Sequence, residues 1–227
     1  MRLLVLLPLL LSACKVSYST PEEIYSRALK STVKIVIPGQ GGGSGFYVIT
    51  PKGQKVVVTN AHVCTLPRTP LLVISNRDSS SFTAIPKYIS YHRDLCLISA
   101  PIEDNHVVFN LAKKPARPGT LAFSAGQPHL APLTINPQLV IGTWVVTIGY
   151  GPEFCQGGVG ERKETFFGPV CVRKQRAILI DGVIRPGNSG GALLDRYGDV
   201  IGVIYGGNGT QGAAVTLAKL KEVLDLF

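Results

Sequence analysis

The chain has no apolar run long enough to cross a bilayer. Its longest, Leu3 to Leu11, falls well short of the roughly 20 residues a membrane-spanning helix needs, so a transmembrane anchor is not expected. Charge is scarce: Asp, Glu, Lys and Arg make up 16% of 227 residues, aromatic residues 7%, and Met and Trp occur once each. Lys and Arg outnumber Asp and Glu, 23 to 14, but sit in small groups at Lys113-Lys114, Arg117 and Arg173-Lys174-Arg176. Without a long basic run interleaved with aromatics, a nucleic-acid partner has no support. No two cysteines are spaced C-x-x-C, which disfavours structural zinc, and no cofactor or metal is expected. There is no internal repeat, low-complexity tract or long linker, so an appended peptide-binding domain is not expected.

What is present points to β structure. Hydrophobic residues reach 45%, enough for a sizeable core, while 25 Gly and 16 Pro punctuate the chain into short segments. Arg2 followed by Leu3 to Leu11 has the charged start and short apolar centre of a secretory signal. The sequence after it, Leu11-Ser12-Ala13-Cys14, resembles the lipobox of bacterial lipoproteins, which implies acylation of Cys14, export, and attachment to a bacterial membrane in the periplasm or cell envelope. The remaining cysteines, Cys64, Cys96, Cys155 and Cys171, are even in number in a compartment that permits disulfides, and four allow three connectivities.

Along the chain, Thr20 can cap a helix with Pro21 in its first turn, Glu22 and Glu23 at its positive end, and Ile24, Ala28 and Leu29 on one face. Strands are expected at 33–37, 46–49, 55–59, 71–75 and 95–99, then at 120–124, 139–150, 166–172, 176–181, 192–195 and 200–205. The stretch 102–118, with its prolines and mixed charge, reads as a connection between two lobes. Leu217, Leu220, Val223 and Leu224 give the last segment one apolar helical face.

Three segments carry chemistry. In Pro186-Gly187-Asn188-Ser189-Gly190-Gly191 a serine stands among residues that let the backbone turn tightly and approach a ligand. Thr59-Asn60-Ala61-His62-Val63-Cys64 places a histidine just beyond a β-branched strand, and Asp94-Leu95-Cys96-Leu97-Ile98 opens another strand with an acid. Each alone is weak, because a lone histidine or a strand-leading aspartate is more often structural. Their order, His, Asp, Ser, is the chymotrypsin order of an acyl-transfer triad. The serine motif also fits the G-x-S-x-G elbow of α/β-hydrolases, but that fold needs a histidine after the serine, and the last histidine is His129. His92, two residues before Asp94, is the competing base; it, His106 and His129 are read as surface or structural.

Together with Gly43-Ser44-Gly45-Phe46, these segments resemble the trypsin-like (chymotrypsin-fold) serine proteases, more closely the bacterial HtrA (Deg) branch, over roughly 33–216. The resemblance implies an all-β fold of two six-stranded antiparallel barrels. The division is then 1–14 signal, 15–32 N-terminal segment with its helix, 33–110 first barrel, and 111–227 second barrel with the C-terminal helix. It further implies a serine endopeptidase acting on polypeptides, with Ser189 as nucleophile, His62 as general base, Asp94 as its partner and the N–H groups of Gly187 and Ser189 as oxyanion hole. If that triad forms, Cys64 and Cys96 come together, and Cys155 is expected to bridge to Cys171. Asn188 stands where digestive enzymes carry an aspartate that pairs with a new N-terminus, so activation by N-terminal cleavage is not expected. Val183 and Ile184 occupy the specificity position, with Tyr205, Gly206 and Gly207 opposite, which implies cleavage after small or aliphatic residues. Two other classes compete: an inactive protease-like protein that binds peptides in the same cleft, and a lipid-anchored structural module. Neither the natural substrate nor the oligomeric state is legible.

Overall fold

A computed structural model of the chain describes residues 17–37, 39, 41–64, 70–101, 105–150, 155, 160–165 and 168–227. Cys14 and the expected signal lie outside the described residues. Helix α1 (Pro21–Ser31) begins with a reciprocal cap, in which the Thr20 hydroxyl accepts the Glu23 N–H and the Glu23 carboxylate accepts the Thr20 N–H. Ile24 and Ala28 face inward, as the periodicity requires. It ends where the Thr32 hydroxyl donates to the Ala28 carbonyl and the chain enters the first strand.

The first sheet comprises β1 (Thr32–Ile37), β2 (Gly41–Ile49), β3 (Lys55–Thr59), β4 (Leu71–Ser75), β5 (Ser81–Ala84), β6 (Pro86–Ser90) and β7 (Leu95–Ser99). Their spatial order is β5-β4-β1-β2-β3-β7-β6, with every pairing antiparallel. The second comprises β8 (Leu121–Gly126), β9 (Thr134–Tyr150), β10 (Glu161–Thr165), β11 (Gly168–Ile180), β12 (Ala192–Leu194), β13 (Val200–Gly207) and β14 (Gly212–Thr216). Six of these close into a ring because β9 pairs with both β8 and β11, and β10 is left as the outer arm of a hairpin with β11.

The fold class is therefore all-β, two antiparallel sheets with short helices at the two ends. The expected six strands per barrel become seven per sheet. The additions are β5, β6, β10 and β14: β5 and β6 are short and partly exposed, β10 is charged and exposed, and β14 is built mostly of small residues, so none carries the bulky β-branched run that marks a strand in sequence. The two segments expected at 166–172 and 176–181 are one strand, β11, whose basic middle is carried by continuous pairing to β9.

The largest apolar cluster spans both sheets. Phe46, Val58 and Leu97 of the first meet Phe123, Leu194 and Val203 of the second, with Ile24 of α1 and Leu220 and Leu224 of α3 (Leu217–Leu226) in the same cluster. Burying each such side chain is worth ~1.5–3 kcal/mol, so the helices clamp two sheets that share one core.

Candidate active site

At the end of β3 the chain turns directly into a single helical turn, α2 (Ala61–Cys64), which carries His62. β3 pairs with β7, placing Thr59 opposite Cys96, and this register brings Asp94, just before β7, beside α2. Asp94 is 0% exposed and has φ of 52°, a backbone conformation that costs a non-glycine residue ~1–3 kcal/mol. Its surroundings hold it there: its N–H donates to the Tyr91 carbonyl (3.2 Å) and its carbonyl accepts from Asn60 Nδ2 (2.9 Å). The carboxylate accepts the main-chain N–H of His62 (3.1 Å) and lies 3.0 and 3.1 Å from His62 Nδ1. A proton on Nδ1 is thereby fixed, which leaves Nε2 as the acceptor a general base needs. A disulfide from Cys64 to Cys96, Cα atoms 6.5 Å apart, staples the two segments together. A second joins Cys155 to Cys171, and Cys171 packs on Ala61 of the histidine turn.

Ser189 sits in the tight turn between β11 and β12, pressed against the first sheet. A Cβ on Gly190 would fall 2.1 Å from both the Ser44 carbonyl and Thr59 Oγ1, and one on Gly43 would fall 2.7 Å from the Ser189 carbonyl and 2.8 Å from Val63. Only glycine lets the serine loop come so near the strand end that carries His62.

Three successive carbonyls of this loop are held from behind. That of Pro186 accepts the His129 N–H (2.5 Å), that of Gly187 the Ser44 hydroxyl (2.7 Å), and that of Asn188 the Gly191 N–H (2.9 Å). In a trans peptide the N–H points opposite to the carbonyl, so the Gly187 and Ser189 N–H groups are turned the other way. Among the described residues neither meets an acceptor, whereas the N–H groups of Asn188, Gly190 and Gly191 are all bonded. Ser44 is saturated: its hydroxyl also accepts the Gln127 N–H (2.9 Å), its own N–H donates to the Ser189 carbonyl (2.8 Å), and its carbonyl accepts from Thr59 Oγ1 (2.7 Å). The Ser189 hydroxyl donates to the Tyr205 carbonyl (3.0 Å), so in this state its proton is directed away from His62.

Ser44, Gln127 and His129 were not singled out as loop supports by the residue patterns. Two of the three act through main-chain N–H groups, which any residue type supplies, and a signal for Ser44 exists only in its Gly-Ser-Gly setting. Tyr205 differs from expectation too. Burial pushes its phenol above the usual tyrosine range, a hydrogen bond with Gln175 works the other way, and the nearby charge of Asp94 adds to the rise. Its carbonyl, not its ring, meets Ser189. Val183 is half exposed beside a pocket of about 420 Å³ that Gln138, Arg185 and Asn188 also line, while Ile184 is buried in the second-barrel core. Gly206 is half-buried and Gly207 exposed at the end of β13.

The other histidines lie elsewhere. His106 bonds Ser75 Oγ (2.6 Å) and stacks on Tyr47, and His92 and His129 are exposed. Among the described residues no His, Cys, Asp and Glu side chains cluster so as to hold a metal ion.

A family model described as a trypsin-like peptidase domain matches residues 43–203, which takes in Ser44, His62, Asp94 and Ser189. The chain belongs to the trypsin-like serine proteases. Two Synechocystis proteins named as serine proteases, HhoB and HhoA, are 29% identical over 164 residues and 26% identical over 179, each match covering 72% of this chain. These matches span 34% and 36% of the relatives, so the chain corresponds to about a third of their length. In fold, the trypsin-like chain is similar to the active form of the Rv3671c protease of M. tuberculosis, with a TM-score of 0.67 and 22% identity over 88% of this chain and 82% of that one. It is equally similar to a serine endoprotease of Yersinia pestis, with a TM-score of 0.67 and 17% identity over 92% of this chain and 66% of that one.

Proposed function

We propose that this trypsin-like chain is an exported serine endopeptidase that cleaves polypeptides through Ser189, His62 and Asp94. The observation that carries the reading is a histidine whose Nδ1 is fixed by a wholly buried carboxylate, just beyond a strand end, at Thr59, on which a serine loop bearing two unpaired N–H groups closes. With a substrate in the cleft, the Ser189 hydroxyl turns from the Tyr205 carbonyl to His62. The Ser189 Oγ to carbonyl-carbon bond forms as His62 Nε2 takes the proton, and the carbonyl electron pair moves onto oxygen, where the Gly187 and Ser189 N–H groups receive it. Collapse expels the amine, which takes that proton from His62, and water repeats the sequence on the acyl-enzyme. Asp94 stabilises the imidazolium in both halves.

The finer parts of the reading rest on sequence. Val183, with the glycine backbone at 206 and 207, favours small or aliphatic side chains before the cut. Cys14 carries the lipid that holds the chain at a bacterial membrane on the envelope side. The orientation of the Ser189 hydroxyl toward Tyr205 favours a second reading, a peptide-binding protein without turnover. Incubating residues 15–227 with a peptide library separates them: the first predicts cleavage after Val, Ala or Leu that Ser189→Ala abolishes. Binding without cleavage selects the second, and dominant cleavage after Lys or Arg overturns the specificity.

A further inference from the structure

On the face where the described chain begins, Lys113, Lys114, Arg117 and Arg196 surround a pocket of about 410 Å³. The first three are exposed, and among the described residues none of them is ion-paired. Two acids share the lining but are engaged locally: Asp195 accepts the N–H groups of Tyr197 (2.8 Å) and Asp199 (3.1 Å), and Asp199 lies 3.9 Å from Arg27. With four cations against two acids, the lining carries a net positive charge.

The start of the described residues is pinned to the rim of this pocket. The Ser19 N–H donates to the Arg196 carbonyl (3.0 Å), and its hydroxyl to that of Tyr197 (3.3 Å). The Tyr18 ring packs 5.3 Å from that of Tyr197, and the Arg196 guanidinium lies 4.3 Å over it. Both tyrosines are largely exposed, at 51% and 41%. Tyrosine rings at a surface edge, beside lysine and arginine, are the side chains that settle at the headgroup level of a bilayer.

We propose that this basic face docks on anionic phospholipid headgroups. Its placement rests on the acylation of Cys14 proposed above; its charge does not. From Cys14 to Tyr18 is four residue steps, roughly 14 Å when fully extended. Part of that length crosses the headgroup layer, so a lipid on Cys14 leaves the turn bearing Arg196 and Tyr197 almost no distance from the surface. Phosphate groups of the outer layer then lie opposite Lys113, Lys114 and Arg117, and the anchored protease is held in one orientation rather than tumbling on a tether.

Residues 15–227 contain every described element and carry the patch without the lipid, so sedimentation with vesicles tests it directly. The expected result is binding to vesicles containing phosphatidylglycerol, little binding to phosphatidylcholine alone, and release at high salt. The variant Lys113→Glu/Lys114→Glu/Arg117→Glu should bind more than about a hundredfold more weakly, about fivefold for each cation removed and further for the repulsion of each new carboxylate. Arg162→Glu/Lys163→Glu/Lys174→Glu, the same charge change on exposed residues of β10 and β11, should retain most binding. Equal losses in the two variants, or no binding to the anionic vesicles, would overturn the proposal. The mass of the mature N-terminus reports acylation separately, so the anchor and the docking face can fail independently.

Discussion

The two sheets contribute to the site in opposite ways. The first supplies a finished part: His62 and Asp94 are joined by three contacts within 3.1 Å, the acid is wholly buried, and a disulfide closes the pair. The second supplies a loop that cannot hold itself. Of the two carbonyls whose peptides carry the Gly187 and Ser189 N–H groups, that of Asn188 is held from within the loop and that of Pro186 by His129 just beyond β8, while Ser44 of the first sheet braces the loop through the Gly187 and Ser189 carbonyls. The His62–Asp94 pair is thus local and rigid, and the serine loop is braced across the interface between sheets.

That contrast can be broken at either end. The largest effect is expected from Asp94→Asn, which leaves the contacts nearly in place but disturbs the tautomer of His62; kcat should fall about 10⁴-fold in a peptide assay, and an intact rate would remove Asp94 from the mechanism. Next comes Cys64→Ala/Cys96→Ala. A bridge across 32 residues is worth roughly 3–4 kcal/mol by loop entropy, read as a lower denaturant midpoint, and activity should drop about a hundredfold as the turn bearing His62 loosens. Ser44→Ala then tests the second sheet's dependence on the first. It should lower kcat about tenfold or more while KM changes little, because the lost hydrogen bond braces the loop whose N–H groups act on the transition state. A change in KM with kcat intact would assign Ser44 to substrate binding. The smallest effect is expected from Cys155→Ala/Cys171→Ala, since the acid–base pair keeps its own bridge: a lowered denaturant midpoint, with activity within about tenfold of the parent.

The same division explains what the sequence disclosed. Helix α1 was legible to its cap, because Thr20, Pro21 and Glu23 act on neighbours, and the buried side chains of α3 are those its periodicity selects. Strands β3, β4 and β7 match their β-branched runs residue for residue. β14, Gly-Ala-Ala-Val-Thr, lacks the bulky residues that mark a strand and exists because β11 and β13 flank it. His62 and Asp94 were candidates as side chains, and the β3–β7 register supplied their contact. The supports of the serine loop were not legible. Ser44 lies 143 positions before the carbonyl it holds, and His129 acts through an N–H that its imidazole does not advertise.

The central claim is that Ser189 is activated by His62 in the cleft between the sheets. The most direct measurement is the intact mass of residues 15–227 after exposure to a fluorophosphonate, with Ser189→Ala and His62→Ala alongside. The account predicts one adduct, on Ser189, in the parent chain and none in either variant. A correctly disulfide-bonded parent that gains no adduct, or a Ser189→Ala chain that still gains one, would contradict it.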